Sequence, residues 1–302
     1  MHRAPSLSLT FLLAAAVATL QPATQLMAAP SGSAEPAQGA QPSPLKPTAA
    51  RPADIPFLNA EPQAEEQLLE LANQARRQVG AQPLTLDPGL SQAARTHAQA
   101  MLAARQLSHQ FDGEPSLPRR LAAATDLQLD QEGENVALDY DVGHGHEHLM
   151  LSPPHRANLL NPDYNVVGLG VVRNGDRLYI VQDFGHALPA YTITDLKDRI
   201  AVAVNQTRRQ ASQPELQRRD LLIADSVACS MAEADKVATA PTRKLAERFT
   251  VLTYTSLYPE TLPPGAAHAI ASRALRTFSI GACYARTDTY PTGVFWVVLS
   301  LE

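Results

Sequence analysis

Histidine is the residue type with the most obvious chemistry in this chain, and seven of its nine histidines lie between His97 and His186. The densest group is His144-Gly145-His146-Glu147-His148. It satisfies the H-x-x-E-H pattern, in which His144 and His148 share one helix face as metal ligands and Glu147 acts as general base. It is not H-E-x-x-H, because position 150 is Met150. Gly145 weakens a helix there, and no catalytic-domain context surrounds the run. The plainer readings are a solvated, His-rich helix face or adventitious capture of zinc or nickel. His97 reads as a helix-packing residue, and His186 carries no signal of its own.

The elements that must position these residues begin with apolar periodicity after Glu65. Leu68, Leu69, Ala72, Ala75 and Val79 fall at helical spacing, and Gly80 stops the run. Asp87-Pro88 supplies an N-cap and a first-turn proline for a second helix that buries Leu90, Ala94, Ala98 and Met101. Residues 107–140 read as loop-rich. A third helix is expected from about Asp141 to Leu151, stopped by Ser152-Pro153-Pro154. Two alternating runs, Val166–Arg173 and Arg177–Phe184, then flank Asn174-Gly175, a strong hairpin signal. Helices followed by a terminal antiparallel hairpin make an α+β unit.

The chain has 302 residues, 45% hydrophobic and 18% charged, which is enough for one or two ordinary cores. A net charge of −5 with a sequence pI near 6.0 argues against a nucleic-acid partner. Residues 61–189 hold 9 basic and 17 acidic side chains, net −8, whereas residues 190–302 hold 13 and 11, net +2. The chain opens with His2-Arg3, an apolar run from Leu7 to Leu20 and small residues up to Ala28-Ala29, a secretory signal with cleavage expected near residue 29. From Pro30 to Pro62, eight prolines among Ala, Ser, Gln and Gly describe an extended tether over residues 30–60. The mature chain shows no transmembrane segment.

The sequence also echoes itself. Leu71-Ala72-Asn73-Gln74-Ala75-Arg76-Arg77-Gln78 is matched by Ala203-Val204-Asn205-Gln206-Thr207-Arg208-Arg209-Gln210. Val167-Gly168-Leu169-Gly170-Val171 is matched in pattern by Ile280-Gly281-Ala282-Cys283-Tyr284. Two tandem copies of one fold are expected, over 61–189 and 190–302, divided near Pro189. The double arginines Arg76-Arg77, Arg208-Arg209 and Arg218-Arg219 read as solvated helix faces.

Five strings of the first copy carry a family resemblance: Ser108-His109, Gly133-Glu134-Asn135-Val136-Ala137, Ser152 to Leu160, Val167-Gly168-Leu169-Gly170, and Tyr179-Ile180-Val181-Gln182-Asp183-Phe184. In this order and spacing the chain resembles the bacterial SCP-like branch of the CAP superfamily, which comprises cysteine-rich secretory proteins, antigen 5 and plant pathogenesis-related proteins. The resemblance implies a three-layer α-β-α sandwich and a surface cavity lined by two His and two acidic residues. Carried over, these positions fall on His109, Glu134 and His155, with Ser152 where the second acid stands. Arg156 and Asn158 become rim hydrogen bonders or ties for the loop from Ser152 to Asn161. The second copy has no Gly-Glu-Asn and no Ser-His, so it is expected to be degenerate. Its Cys229 and Cys283 fall on a helix and a strand that this fold packs together, so a disulfide is expected.

Two imidazoles and one carboxylate form a plausible set for a divalent cation such as zinc, with a position open for water. The competing reading is a hydrogen-bond network that holds the helical layer to the sheet. The strings supply no nucleophile with an orienting base. The expected function is therefore a secreted or periplasmic, non-catalytic binding module for a divalent cation, a small or lipid-like ligand, or a cell-envelope component. An extracytoplasmic metal-dependent hydrolase or peptidase is the alternative.

Overall fold

Leu68, Ala72 and Ala75, one helical turn apart, form the buried face of α1 (Pro62–Gln78). The computed structural model describes residues 59–302, so the expected export signal and nearly all of the tether lie outside the described residues. After α1 the chain runs through β1 (Thr85–Leu86), α2 (Pro88–Ala104), α3 (Leu117–Ala124), β2 (Leu129–Asp139), α4 (Val142–Leu151), α5 (Pro153–Leu160), β3 (Val166–Asn174) and β4 (Arg177–Ala187). The sheet order is β1-β3-β4-β2, with β1 parallel to β3 and the other pairs antiparallel.

Helices cover both faces of this sheet. Leu68, Leu149 and Leu159 pack with Val171, Ile180 and Phe184 on one face. On the other, Ala94, Ala98 and Met101 of α2 meet Val136, Val172 and Val181, while Leu121 of α3 packs with Leu90 and Leu129. This is the expected α-β-α sandwich. Because both faces are covered, β3 and β4 are buried almost throughout rather than alternating. Their hairpin pairs Asn174 with Arg177, so the two-residue loop is Gly175-Asp176, with Gly175 at φ 61°.

Two expectations change in the middle of the domain. Residues 107–140 contain α3 and the eleven-residue strand β2, whose central Gln131-Glu132-Gly133-Glu134-Asn135 shows no apolar alternation. Those polar residues build the site described below, which hides the strand period. Ser152-Pro153-Pro154 ends α4 but also starts α5, with the prolines in the first turn where no N–H is needed.

The second half follows the same order with one helix fewer before its last two strands. It contains α6 (Ile193–Gln210), β5 (Gln217–Arg218), α7 (Ala224–Ala234), α8 (Ala240–Ala246), β6 (Thr250–Ser256), α9 (Ala266–Ile270), β7 (Thr277–Ala285) and β8 (Val294–Leu301). Its sheet order is β5-β7-β8-β6, again with the short edge strand parallel. Leu196, Ile200 and Ile270 cover one face, and Val227, Met231 and Leu245 the other. Cys229 of α7 and Cys283 of β7 form the expected disulfide, with Cα atoms 5.1 Å apart. The pairs Leu86 with Val167 and Arg218 with Phe278 set Gly281 level with Gly170. A Cβ on Gly170 would lie 2.3 Å from Ala94 backbone, and one on Gly281 would lie 2.0 Å from Ala224 backbone. In both halves the glycine lets a helix lie directly on the sheet.

The arginine echo has a different meaning from the one expected. Arg76 and Arg208 are fully buried, while Arg77 and Arg209 are exposed. Arg76 donates to the carbonyls of Gln82, Leu159, Asn161 and Tyr164, at 2.7 to 2.9 Å. Arg208 donates to those of Pro214, Ile270 and Ser272, at 2.7 to 2.8 Å. Asn73 pairs with the backbone of Leu84, and Asn205 with that of Leu216. The echoed residues are internal clamps for irregular backbone. Arg218-Arg219 does stay at the surface, with Arg218 paired to Asp198, but Arg218 lies on the strand β5 and not on a helix face.

All described residues fall within one compact unit. Arg286, Asp288 and Thr292 of the second half bond to Ala122, Arg119 and Leu129 of the first. No helix among the described residues is long and apolar enough to cross a membrane.

Candidate functional site

The structure brings His109, Glu134 and His155 together from three elements. His109 lies in the connection from α2 to α3, Glu134 in the middle of β2, and His155 in the first turn of α5. His109 Nδ1 lies 2.8 Å from Glu134 Oε1, and the two imidazole centroids are 6.4 Å apart. His109 is 57% exposed at its side chain, whereas the Glu134 carboxyl is only 4% exposed. His155 is half-buried, and its Nδ1 is buried with no hydrogen-bond partner among the described residues. Burial, and then the nearby His109, lower the His155 pKa below the ordinary histidine value.

Glu134 is braced by residues that the motifs did not single out. Arg120 of α3 donates through Nη2 to Glu134 Oε2, and through Nη1 to the His109 carbonyl at 3.2 Å. Arg120 also faces Glu114 at 3.5 Å. His97, fully buried on α2, places Nδ1 2.7 Å from Glu114 Oε1 and Nε2 2.8 Å from the Ser108 carbonyl. It is a packing histidine, as expected, and it fixes the loop that presents His109.

Asp183 of β4 pairs directly with Glu134 across the sheet. It is fully buried, and neither carboxyl oxygen has a hydrogen-bond partner among the described residues. Burial first, and the Glu134 charge second, push its pKa well above the ordinary carboxylate value, with Arg120 opposing. Burial and the neighbouring Glu134 carboxylate thus both disfavour the charged form of Asp183. A lone carboxylate inside the apolar run Tyr179 to Phe184 is the sequence signal that marks it. Arg120 had no comparable signal, because α3 itself was not visible as a helix.

Of the remaining predicted residues, Asn158 is a structural tie. Asn158 donates to the Glu134 carbonyl at 3.2 Å and to Asn135 Oδ1 at 3.0 Å. Asn135 in turn donates to the His155 carbonyl at 2.9 Å, so the α5 turn is laced to β2. Ser152 joins α4 to α5, donating its N–H to the His148 carbonyl, and its hydroxyl makes no capping bond. Arg156 is exposed on α5. A cavity of about 280 Å³ between α2 and α3 reaches Glu114 and Arg120, the braces of Glu134.

The donor set fits a cation held by two imidazoles better than one held by all three residues. His109 Nε2 and the unpartnered His155 ring are the available nitrogens, whereas both Glu134 oxygens are already engaged by His109 and Arg120. Glu134 therefore orients a ligand, as carboxylates do behind metal-bound histidines. No group of three or more His, Cys, Asp or Glu among the described residues has the geometry of a complete metal site.

Residues 69–184 match the cysteine-rich secretory protein family, CAP. The uncharacterized protein YkwD of Bacillus subtilis (strain 168) is 31% identical over 112 residues, covering 37% of this chain and 43% of YkwD. The uncharacterized membrane protein YlbC of the same organism is 34% identical over 122 residues, covering 40% of this chain and 34% of YlbC. The chain thus spans less than half the length of either relative. An extracellular SCP-domain protein from Bacillus anthracis superposes with a TM-score of 0.38 at 26% identity, over 42% of this chain and 41% of that one. The glycine-backed sheet, the laced α5 turn and the His109–Glu134 pair all lie within residues 69–184, the segment of this chain that is similar to the CAP family of cysteine-rich secretory proteins.

Proposed function

We propose that the chain is an exported, non-catalytic binding module built from two tandem CAP-type copies, the second degenerate. On this reading the first copy holds a divalent cation such as zinc between His109 and His155. The observation that carries it is the commitment of Glu134: one oxygen fixes the His109 ring and the other is neutralised by Arg120. A carboxylate held in this way orients an imidazole but is a poor free base for hydrolysis. The Ser108 hydroxyl donates to the Gln110 carbonyl instead of facing His109, which argues against a serine nucleophile there. Support for duplication is the shared sheet order and the matched Arg76 and Arg208 clamps. The second copy carries no counterpart of the His109–Glu134 pair.

A lipid-like ligand has separate support in the second half. An apolar cavity of about 450 Å³ is lined by Leu221, Val227, Leu245 and Phe249, with Lys244 and Arg248 also in its wall. That chemistry suits an acyl chain with an anionic head. Untagged protein purified from its own secretory compartment should be inventoried for metals and lipids by mass spectrometry. A stoichiometric divalent cation that His109→Ala with His155→Ala removes supports the first reading, and a co-purified acyl lipid the second. Steady turnover of ester or peptide substrates that Glu134→Ala abolishes without unfolding would replace both with the hydrolase alternative.

A further inference from the structure

The His144–His148 run lies on α4, away from the cluster described above. Asp139, which supports it, is five residues along β2 from Glu134, about 17 Å at strand rise. His144 and His148 are four residues apart on one face of α4, and each side chain is 65% exposed. Both Nδ1 atoms are held by carboxylates. His144 Nδ1 lies 2.5 Å from Asp141 Oδ2, and the other oxygen of Asp141 caps the helix by accepting from the His144 N–H. His148 Nδ1 lies 2.6 Å from Asp139 Oδ2, on a carboxyl only 7% exposed. In the neutral rings these contacts place the proton on Nδ1 and leave the Nε2 lone pairs as the ligating positions. Glu147 is exposed on the same face, whereas His146 is turned into the fold and buried.

We propose that His144 and His148 form a surface site for a borderline first-row divalent cation, binding Cu²⁺ most tightly and Ni²⁺ and Zn²⁺ less so. Two imidazoles at i and i+4 chelate one such ion, and water fills its remaining positions. The order of metals follows from the nitrogen ligands and the open coordination sphere. A solvated helix face has no need of a buried carboxylate to aim an exposed ring. Asp139 does that for His148, and a partner of this kind typically changes metal affinity about 10- to 100-fold. The site goes beyond the binding cluster proposed for His109 and His155, and it needs neither residue.

The test is calorimetric titration of the untagged mature chain with Cu²⁺ at neutral pH, with electron paramagnetic resonance to count coordinated nitrogens. In the His109→Ala with His155→Ala background, which isolates this site from the one proposed above, one uptake event with two imidazole nitrogens is expected. It should disappear when His144→Ala and His148→Ala are added to that background, with circular dichroism checking that the chain stays folded. Asp139→Asn should weaken it by about tenfold or more with circular dichroism unchanged. A two-nitrogen event that survives when all four histidines are replaced, or a folded His109→Ala with His155→Ala chain that takes up no Cu²⁺, overturns the proposal. Unchanged affinity in Asp139→Asn overturns the orienting role assigned to that carboxylate.

Discussion

Arg286, just beyond β7 in the second half, donates to the Thr125 carbonyl at the end of α3 in the first half, at 2.7 Å. The same guanidinium reaches the carbonyls of Ala122 and Leu127. Arg286 therefore takes up orphan carbonyls at the end of the helix that carries Arg120. Through α3 the second half fixes the brace of Glu134, which gives it a part in the site. Arg286→Ala should destabilise the chain by roughly 2–3 kcal/mol, because three buried or half-buried carbonyls lose a charged donor. Hydrogen exchange should rise across residues 117–130 and stay unchanged in α1.

Arg76 and Arg208 should be equally intolerant of lysine. An ammonium has no planar fork, so Arg76→Lys or Arg208→Lys leaves at least one carbonyl unpaired at a buried position. Each is expected to cost roughly 1–3 kcal/mol by denaturant unfolding. Arg77→Lys and Arg209→Lys, at exposed positions, should change stability by less than about 0.5 kcal/mol.

Much of this architecture was legible in the chain. Asp87-Pro88 caps α2 as read, with the Asp87 carboxylate accepting from the Leu90 N–H at 2.7 Å. His109, Glu134 and His155 do converge, and the two cysteines are bonded. The misreadings have a common cause in buried polar groups. β2 is polar at its centre because Glu134 and Asn135 face partners inside the protein, so a period-2 search finds nothing there. Arg76 looks like a surface residue because only its tertiary partners, more than 80 positions away in sequence, reveal it as a clamp. Arg120 lies on a short helix whose orientation depends on contacts from the second half, and local sequence does not encode those.

Asp183 should make stability depend on pH. Its folded-state pKa is raised, so the folded chain keeps a proton that the unfolded chain releases near the ordinary value of roughly 3.9. Stability from this group is present at low pH and falls as pH rises from about 3.9 to the raised folded value. Asp183→Asn removes that loss, so the variant should gain of the order of 1 kcal/mol relative to wild type at neutral pH and gain less in acid. Thermal unfolding at several pH values checks the sign. A variant less stable than wild type at every pH would contradict this sign.

Reduction of the bond between Cys229 and Cys283, 54 positions apart, should cost the second half about 4 kcal/mol in the chain-entropy description. Unfolding followed at Trp296, which is buried against α7, should move to lower denaturant on adding a reductant. The Cys229→Ser with Cys283→Ser variant should show no such response.

Zinc titration in the His144→Ala with His148→Ala background tests most directly whether a cation is held between His109 and His155. Calorimetry should show one binding event at neutral pH. Its affinity should decline in acid, with the lowered pKa of His155 keeping that ligand neutral below the ordinary histidine value of roughly 6.5. Glu134→Gln should weaken the event by about tenfold or more, and His109→Ala with His155→Ala should abolish it. Absence of zinc uptake in the folded background protein, or uptake unchanged by the loss of both histidines, would contradict the account.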